Sequence, residues 1–148
     1  MKKNKMIYTA LGFPVVLIGF KTKKIRGIEV PDTNLNSLQA TVFEALIDKS
    51  SNFTGGEIRF IRSYLRLNQT QFSKILNQSG HSIVSQWEKK GLKATGMDYN
   101  TEVLLRLHMA KTLNRDNLVA HVEIFLEKSP FESRTTPSPI EIDSKHAA

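Results

Sequence analysis

The stretch Thr54–Lys93 reads TGGEIRFIRSYLRLNQTQFSKILNQSGHSIVSQWEKKGLK, and three short amphipathic segments follow one another along it. Thr54-Gly-Gly-Glu57 fits a capping box, in which the threonine oxygen and the glutamate carboxylate satisfy orphan backbone amides reciprocally. Ile58, Ile61 and Leu65 then line one helical face, while Arg59, Arg62 and Arg66 point elsewhere. Asn68-Gln-Thr-Gln71 is a similar cap, followed by Phe72, Ile75 and Leu76 on one side of a second helix. Asn77-Gln78-Ser79-Gly80 reads as a turn, with Ser79 or Gly80 opening the third segment. Val84 and Trp87 give that segment a buried edge, and its other face presents His81, Ser82, Ser85 and Gln86. Those are short hydrogen-bonding groups of the kind that read base edges in a major groove. Ile83 sits between the two faces, where its methyls can meet a thymine methyl. Seven residues of the stretch are Lys or Arg and two, Glu57 and Glu88, are acidic. Short capped helices, tight turns and a basic surface predict a helix-turn-helix that docks on DNA.

The whole chain has the charge for such a partner. At 148 residues it can build one modest core, or two small units sharing a surface. A net charge of +7 favours a polyanion, nucleic acid first and an anionic membrane second. Residues 1–30 carry seven basic side chains against one acidic, whereas 94–127 carry three against five, so the latter should face away from DNA. The absence of cysteine removes disulfides, thiol nucleophiles and thiolate metal sites. The four histidines lack ligand spacing, so neither metal nor cofactor is expected. No nucleophile–base pair or catalytic carboxylate pair stands out, and Gly55-Gly56 lacks the lysine of a phosphate-cradling loop. The expected protein is therefore not an enzyme, with no catalytic residue and no small-molecule substrate.

Residues 1–53 read as a separate small unit. Basic MKKNK followed by MIYTALGFPVVLIGF resembles the start of a signal peptide, but Pro14 and two glycines interrupt the apolar run. Lys21, Lys23, Lys24 and Arg26 follow it with no small-residue cleavage site, and the run falls short of the ~20 residues of a membrane span. The expected location is the cytoplasm, with no membrane partner. Met6–Ala10, Val15–Phe20 and Ile28–Val30 suggest a small antiparallel meander, with KTKKIRG as a turn. So small a sheet needs support. A helix capped by Asp32 or Asn34, with Leu35, Leu38, Val42, Ala45 and Leu46 as its apolar stripe, can supply it. The stripe reads first as intramolecular core and second as a partner-binding seam. Polar Asp48–Asn52 reads as a linker to the second unit.

At these residues a resemblance becomes explicit. Leu67-Asn68-Gln69-x-x-Phe72-Ser73 with Val84-Ser85-Gln86-Trp87-Glu88 resembles the repressor-type helix-turn-helix of phage repressors and Xre-like regulators. The resemblance implies that Gln69 grips a phosphate, that His81, Ser82 and Gln86 read bases, and that Trp87 is core with Glu88 as a structural anchor. The turn is one residue longer than that family's spacing, which makes Gln86 the surest of the readers. Farther upstream, GFPVVL at 12–17, Glu29-Val-Pro31 and TGGEIRFIR at 54–62 resemble MqsA-type antitoxins. Those join an N-terminal zinc ribbon, which binds a toxin, to a repressor-type domain that dimerises and represses its operon. The ribbon's cysteine pairs are absent, and Lys23-Lys24-Ile25-Arg26-Gly27 occupies the place of one pair, so no zinc role is carried over.

The remaining chain reads as helices and a tail. Gly91–Met97 reads as a loop; Asn100 or Thr101 then opens a helix with Val103, Leu104, Leu107 and Ala110 on one side. Asp116 opens another with Leu118, Val122, Phe125 and Leu126. Ser129–Ala148, with three prolines and mixed charge, reads as a mobile tail whose Ile140-Glu-Ile142 could pair with a partner's strand. The expected architecture is mostly α: a five-helix, lambda-repressor-like helix-turn-helix domain over 54–128, preceded by a β-meander plus helix, a degenerate ribbon, over 1–53.

The leading functional expectation is a dimeric repressor of the antitoxin kind that reads a palindromic operator in double-stranded DNA and regulates its own operon. Base readout falls to His81, Ser82, Ser85 and Gln86, and phosphate contact to Gln69, Ser79, Lys89, Lys90 and Lys93. Arg59, Arg62, Arg66 and Lys74 read first as a solvated face and second as phosphate contacts. His108 and His121 are assigned no role. The alternative is an interaction module that inhibits a cognate toxin or other partner through residues 1–53 and binds DNA weakly. A stand-alone Xre-like regulator without a toxin is a variant of the first reading.

Overall fold

The computed structural model describes residues 4–113 and 137–146. In order they form β1 (Lys5–Tyr8), β2 (Val15–Ile18), β3 (Thr22–Ile25), β4 (Ile28–Pro31), α1 (Leu35–Ile47), α2 (Gly55–Tyr64), α3 (Gln69–Ile75), α4 (His81–Glu88), α5 (Tyr99–Thr112) and β5 (Ile140–Asp143), with a 3-10 turn at Ser144–His146. Five helices against five strands of four residues make the described chain mostly α. The helix expected from Asp116, and His121 within it, lie outside the described residues.

Local chemistry sets most helix ends. The Asn34 side chain, rather than Asp32, caps α1 by accepting from the Ser37 amide at 3.1 Å. Both bonds of the Thr54/Glu57 box form, at 3.2 and 2.9 Å, and both of the Asn68/Gln71 box, at 2.7 and 2.9 Å. Such reciprocal bonds use two of the amides a helix start leaves unpaired. Gly80 precedes α4 without a side-chain cap. The α5 cap is Asp98, which accepts from the Thr101 amide at 2.8 Å; the expected Asn100 and Thr101 lie inside the first turn. Helices α2 and α3 close alike, with Arg66 and Asn77 at φ 59° and 56°. The following amides reach back to Arg62 O and Ser73 O, the bonding of a Schellman motif.

The expected three-stranded meander is replaced by two separate sheets. In the first, β2 lies between β1, antiparallel with Met6 opposite Leu17, and β5, parallel with Leu17 opposite Ile142. The 129–148 tail is therefore corrected at its far end: Ile140-Glu-Ile142 is a strand of this chain's own sheet, not one offered to a partner. Its period-two pattern explains this, because Ile140 and Ile142 are buried and Glu141 is exposed. In the second sheet, among the described residues, β3 and β4 pair only with each other. The KTKKIRG stretch is thus a strand plus a tight turn rather than a turn throughout. Arg26 and Gly27, at φ 52° and 81°, supply the left-handed pair that matches hairpin twist.

One core unites the expected units. Phe13 of the β1–β2 turn, Val15 and Leu17 of β2, Leu38, Val42 and Leu46 of α1, and Ile58, Phe72, Val84 and Leu105 of the later helices belong to one buried cluster. Phe13 meets Phe60 edge-on at 5.4 Å, and Phe43 stacks on Tyr64 at 4.2 Å. The boundary at 53/54 therefore separates no independent cores. The α1 stripe is intramolecular, with Phe43 and Ile47 added to it and Leu35 left exposed.

The 48–52 linker and the α5 face are also corrected, by one polar cluster. Lys49 and Ser51 are buried, and Lys49 forms an enclosed ion pair with Glu57. On α5 the buried set is Thr101, Glu102, Leu105, Arg106, Met109 and Ala110, while Val103, Leu104 and Leu107 are only half-buried. Glu102 and Arg106 can turn inward because backbone groups receive them. Glu102 accepts from the Phe53 amide at 3.0 Å. At the end of α1, Arg106 donates to Ile47 O at 2.7 Å and to Leu46 O at 3.0 Å, the latter also accepting from the Lys49 amide at 3.3 Å, and its guanidinium lies 4.3 Å over the Phe53 ring. Burial lowers the Lys49 ammonium pKa despite Glu57, raises that of Glu102 despite Arg106, and brings the Arg106 guanidinium down to about 10.

Candidate nucleic-acid interface

Helix α4 is held by its end as well as by its buried edge. Val84 and Trp87 are in the core. The start of α2 packs directly on the end of α4: a Cβ on Gly55 would stand 2.5 Å from Trp87 O and 2.8 Å from Glu88 O. Only glycine lets the two backbones approach this closely. The Gly55 and Gly56 amides donate to Lys93 O at 3.3 Å and Gly91 O at 2.9 Å, and Thr95 donates to Phe53 O at 3.1 Å. A Cβ on Gly56 would meet Gly12 O at 2.5 Å, so the β1–β2 turn is seated against the same helix start. The Thr54-Gly-Gly-Glu57 box thus joins the N-terminal sheet, α2 and the loop after α4.

A second brace crosses the helices. Arg62 grips Glu88 with two bonds, Nε to Oε2 at 3.1 Å and Nη2 to Oε1 at 2.9 Å, and donates through Nη1 to Leu67 O at 3.0 Å. Gln69 Nε2 also donates to Glu88 Oε2, at 3.0 Å. Glu88 is therefore an anchor, as the resemblance implies. Arg62 is neither a solvated charge nor a free phosphate contact, and Gln69 carries an internal bond alongside the phosphate role expected of it. Fork geometry makes the arginine–carboxylate contact directional as well as strong.

The expected readers fall together. His81, Ser82 and Gln86 are exposed and Ser85 is half-buried, all on the side of α4 opposite Val84 and Trp87. At 100° per residue, positions 81, 82, 85 and 86 share one face, and position 89 falls within the same arc. Ile83 is half-buried at its margin. An open depression of about 340 Å³ lies beside this face, lined by Arg59, Arg62, Gln69, Ser85, Glu88 and Lys89. Two exposed cations, Arg59 and Lys89, stand at it while Glu88 is taken up by Arg62 and Gln69, so it can receive an anionic oxygen. Arg59 is exposed, as its helical position marks it, and its neighbour Lys89 is the residue that closes α4.

The other phosphate candidates are placed differently. Ser79 is exposed in the α3–α4 connection, and Lys90 and Lys93 are exposed in the loop that the α2 start holds. None of the three lines the depression. His108 bonds Ile75 O at 2.9 Å, a structural contact at the end of α3. Among the described residues no group of three or more His, Asp or Glu could hold a metal ion, and no helix is long and apolar enough to cross a membrane. Comparison with known protein families, curated proteins and solved structures finds no match to this chain.

Proposed function

We propose that this protein is a sequence-specific DNA-binding repressor of the antitoxin kind, with α3 and α4 acting as a helix-turn-helix in a five-helix, repressor-type domain. The observation that carries the reading is the outer face of α4, where His81, Ser82, Ser85, Gln86 and Lys89 lie opposite a fully used apolar edge. Polar side chains of short reach on a rigidly held helix suit base edges, and the adjoining cations suit phosphates. A two-fold dimer would set two such helices one DNA turn apart, ~34 Å, and read a palindrome in its own promoter. No reaction, cofactor or metal enters this reading, and such a regulator works in the cytoplasm.

Selection of bound duplexes by the purified chain tests it. A palindromic site should emerge, and Gln86→Ala should relax preference at one base position at a cost of about 1–3 kcal/mol. Equal affinity of both proteins for selected and scrambled duplexes would sink the assignment. The second reading, inhibition of a toxin or other protein through residues 1–53, draws on β1. It is an outer strand of its sheet with Ile7 exposed, and could take a partner's strand alongside. Capture of a neighbouring gene's product by the full chain, lost on Ile7→Lys, would favour it.

A further inference from the structure

Among the described residues the β3–β4 hairpin has no third strand beside it, and every residue from Lys21 to Glu29 is exposed. Its register sets Lys23 opposite Val30, Lys24 opposite Glu29 and Ile25 opposite Ile28. Alternate pairs face opposite sides of a ribbon, so Lys23, Ile25, Ile28 and Val30 share one side and Thr22, Lys24 and Glu29 the other. Lys23 pairs with Asp32 at 3.6 Å, and Glu29 accepts from the Thr22 hydroxyl at 2.6 Å. Lys21, Lys24 and Arg26 have no ion pair among the described residues. Beside the Arg26-Gly27 turn, Ile25 and Ile28 are 52% and 66% exposed.

A merely solvated ribbon would explain the cations but not two branched aliphatic side chains held in register beside its turn. A stable protein–protein interface buries ~800 Å² per partner around an apolar centre, far more than two isoleucines offer. Duplex DNA fits both features at once. Cations on the shoulders of a ribbon neutralise phosphates, and aliphatic side chains near its tip press between base steps in the minor groove. We propose that the β3–β4 hairpin is a second DNA-binding arm. Lys21, Lys24 and Arg26 neutralise phosphates, and Ile25 and Ile28 wedge into the minor groove outside the stretch read by α4. The proposal rests on the DNA-binding reading above, but on different residues with different observables.

The test uses the full chain and duplexes recovered by selection. In a Lys21→Gln/Lys24→Gln/Arg26→Asn variant, asparagine at position 26 suits the positive φ there. Its log affinity should fall less steeply with log salt, the slope lowered by about 2–3 at ~0.9 per phosphate, equally on selected and scrambled duplexes. An Ile25→Thr/Ile28→Thr variant should keep the wild-type slope and reduce DNA bending in a circular-permutation assay. All five positions are exposed, so an unchanged melting temperature should accompany both variants. Specific binding with an unaltered salt slope in the first variant overturns the arm and leaves the α4 reading standing. A wild-type complex with no bend, or a bend the second variant retains, overturns the wedge. Should the first variant instead lose a protein partner while its DNA binding is intact, the hairpin belongs to that partner and the proposal fails. Absence of any duplex binding by the wild type removes both readings together.

Discussion

The outer face of α4 and the enclosed meeting of α1, α2 and α5 are both rich in polar side chains, yet they spend them in opposite ways. On α4, His81, Ser82 and Gln86 face solvent and satisfy nothing within the described residues that would hold them from a ligand. In the enclosed cluster, Lys49, Glu57, Glu102 and Arg106 are all buried and bonded to backbone or to each other. A charge that caps a helix end or pairs in the core is structural. One held on a rigid edge in water is available for recognition. The sequence shows both kinds of residue alike, and only the partners distinguish them.

The largest effect expected from this contrast is on stability. Arg106→Ala strips Ile47 O and Leu46 O of a charged donor and removes the stronger of the two cations near Glu102, and should cost about 3–5 kcal/mol in urea unfolding. An unchanged midpoint would mean the cluster is incidental. Gly55→Ala comes next. Its methyl would collide with Trp87 O and Glu88 O, backbone atoms that cannot swing away, so overpacking should cost about 1–3 kcal/mol and weaken binding to every DNA sequence. Full stability together with full DNA affinity would show that the junction tolerates the shift.

On the recognition side, Lys89→Ala/Lys90→Ala should leave stability alone, weaken all duplexes equally and lower the salt slope by about 2. A changed base preference would move these lysines from phosphate to readout. The smallest effect lies at the α5 cap. Asp98→Ala should cost about 1 kcal/mol in thermal unfolding. Hydrogen bonds from Thr101 hold the Asp98 carboxyl below its ordinary value. This contribution is therefore complete above ~3.9, the ordinary aspartate value, and is lost as pH falls through the lower folded value. Asp98→Asn, which keeps the cap without the charge, should flatten that acid limb; an acid limb identical to wild type would assign it elsewhere.

Much of the candidate site was legible because it depends on near neighbours. The partners of the Thr54/Glu57 and Asn68/Gln71 boxes stand three positions apart, and the α4 faces follow from a period of 3.6. Arg62 reads as a solvated charge because its carboxylate lies 26 positions away and on another helix. The α5 face was misplaced because apolar periodicity presumes that charge stays outside. Here Phe53 and the end of α1 present backbone groups that receive Glu102 and Arg106. The linker failed for the same reason, since Lys49 looks solvated until Glu57 is placed against it.

The residues alone therefore settled the helix starts at Thr54 and Asn68, the buried edge of α4 and the polar edge opposite it, all of which rest on spacings of a few residues. Folding in three dimensions settled the rest. It brought Ile140 and Ile142 beside β2 across most of the chain, merged the two expected units into one core, and turned Glu88, Glu102 and Arg106 into braces. The physical reason is that a pairing distant along the chain leaves no local periodicity. Its energy comes from burying apolar surface and satisfying polar groups that only the assembled fold brings within reach.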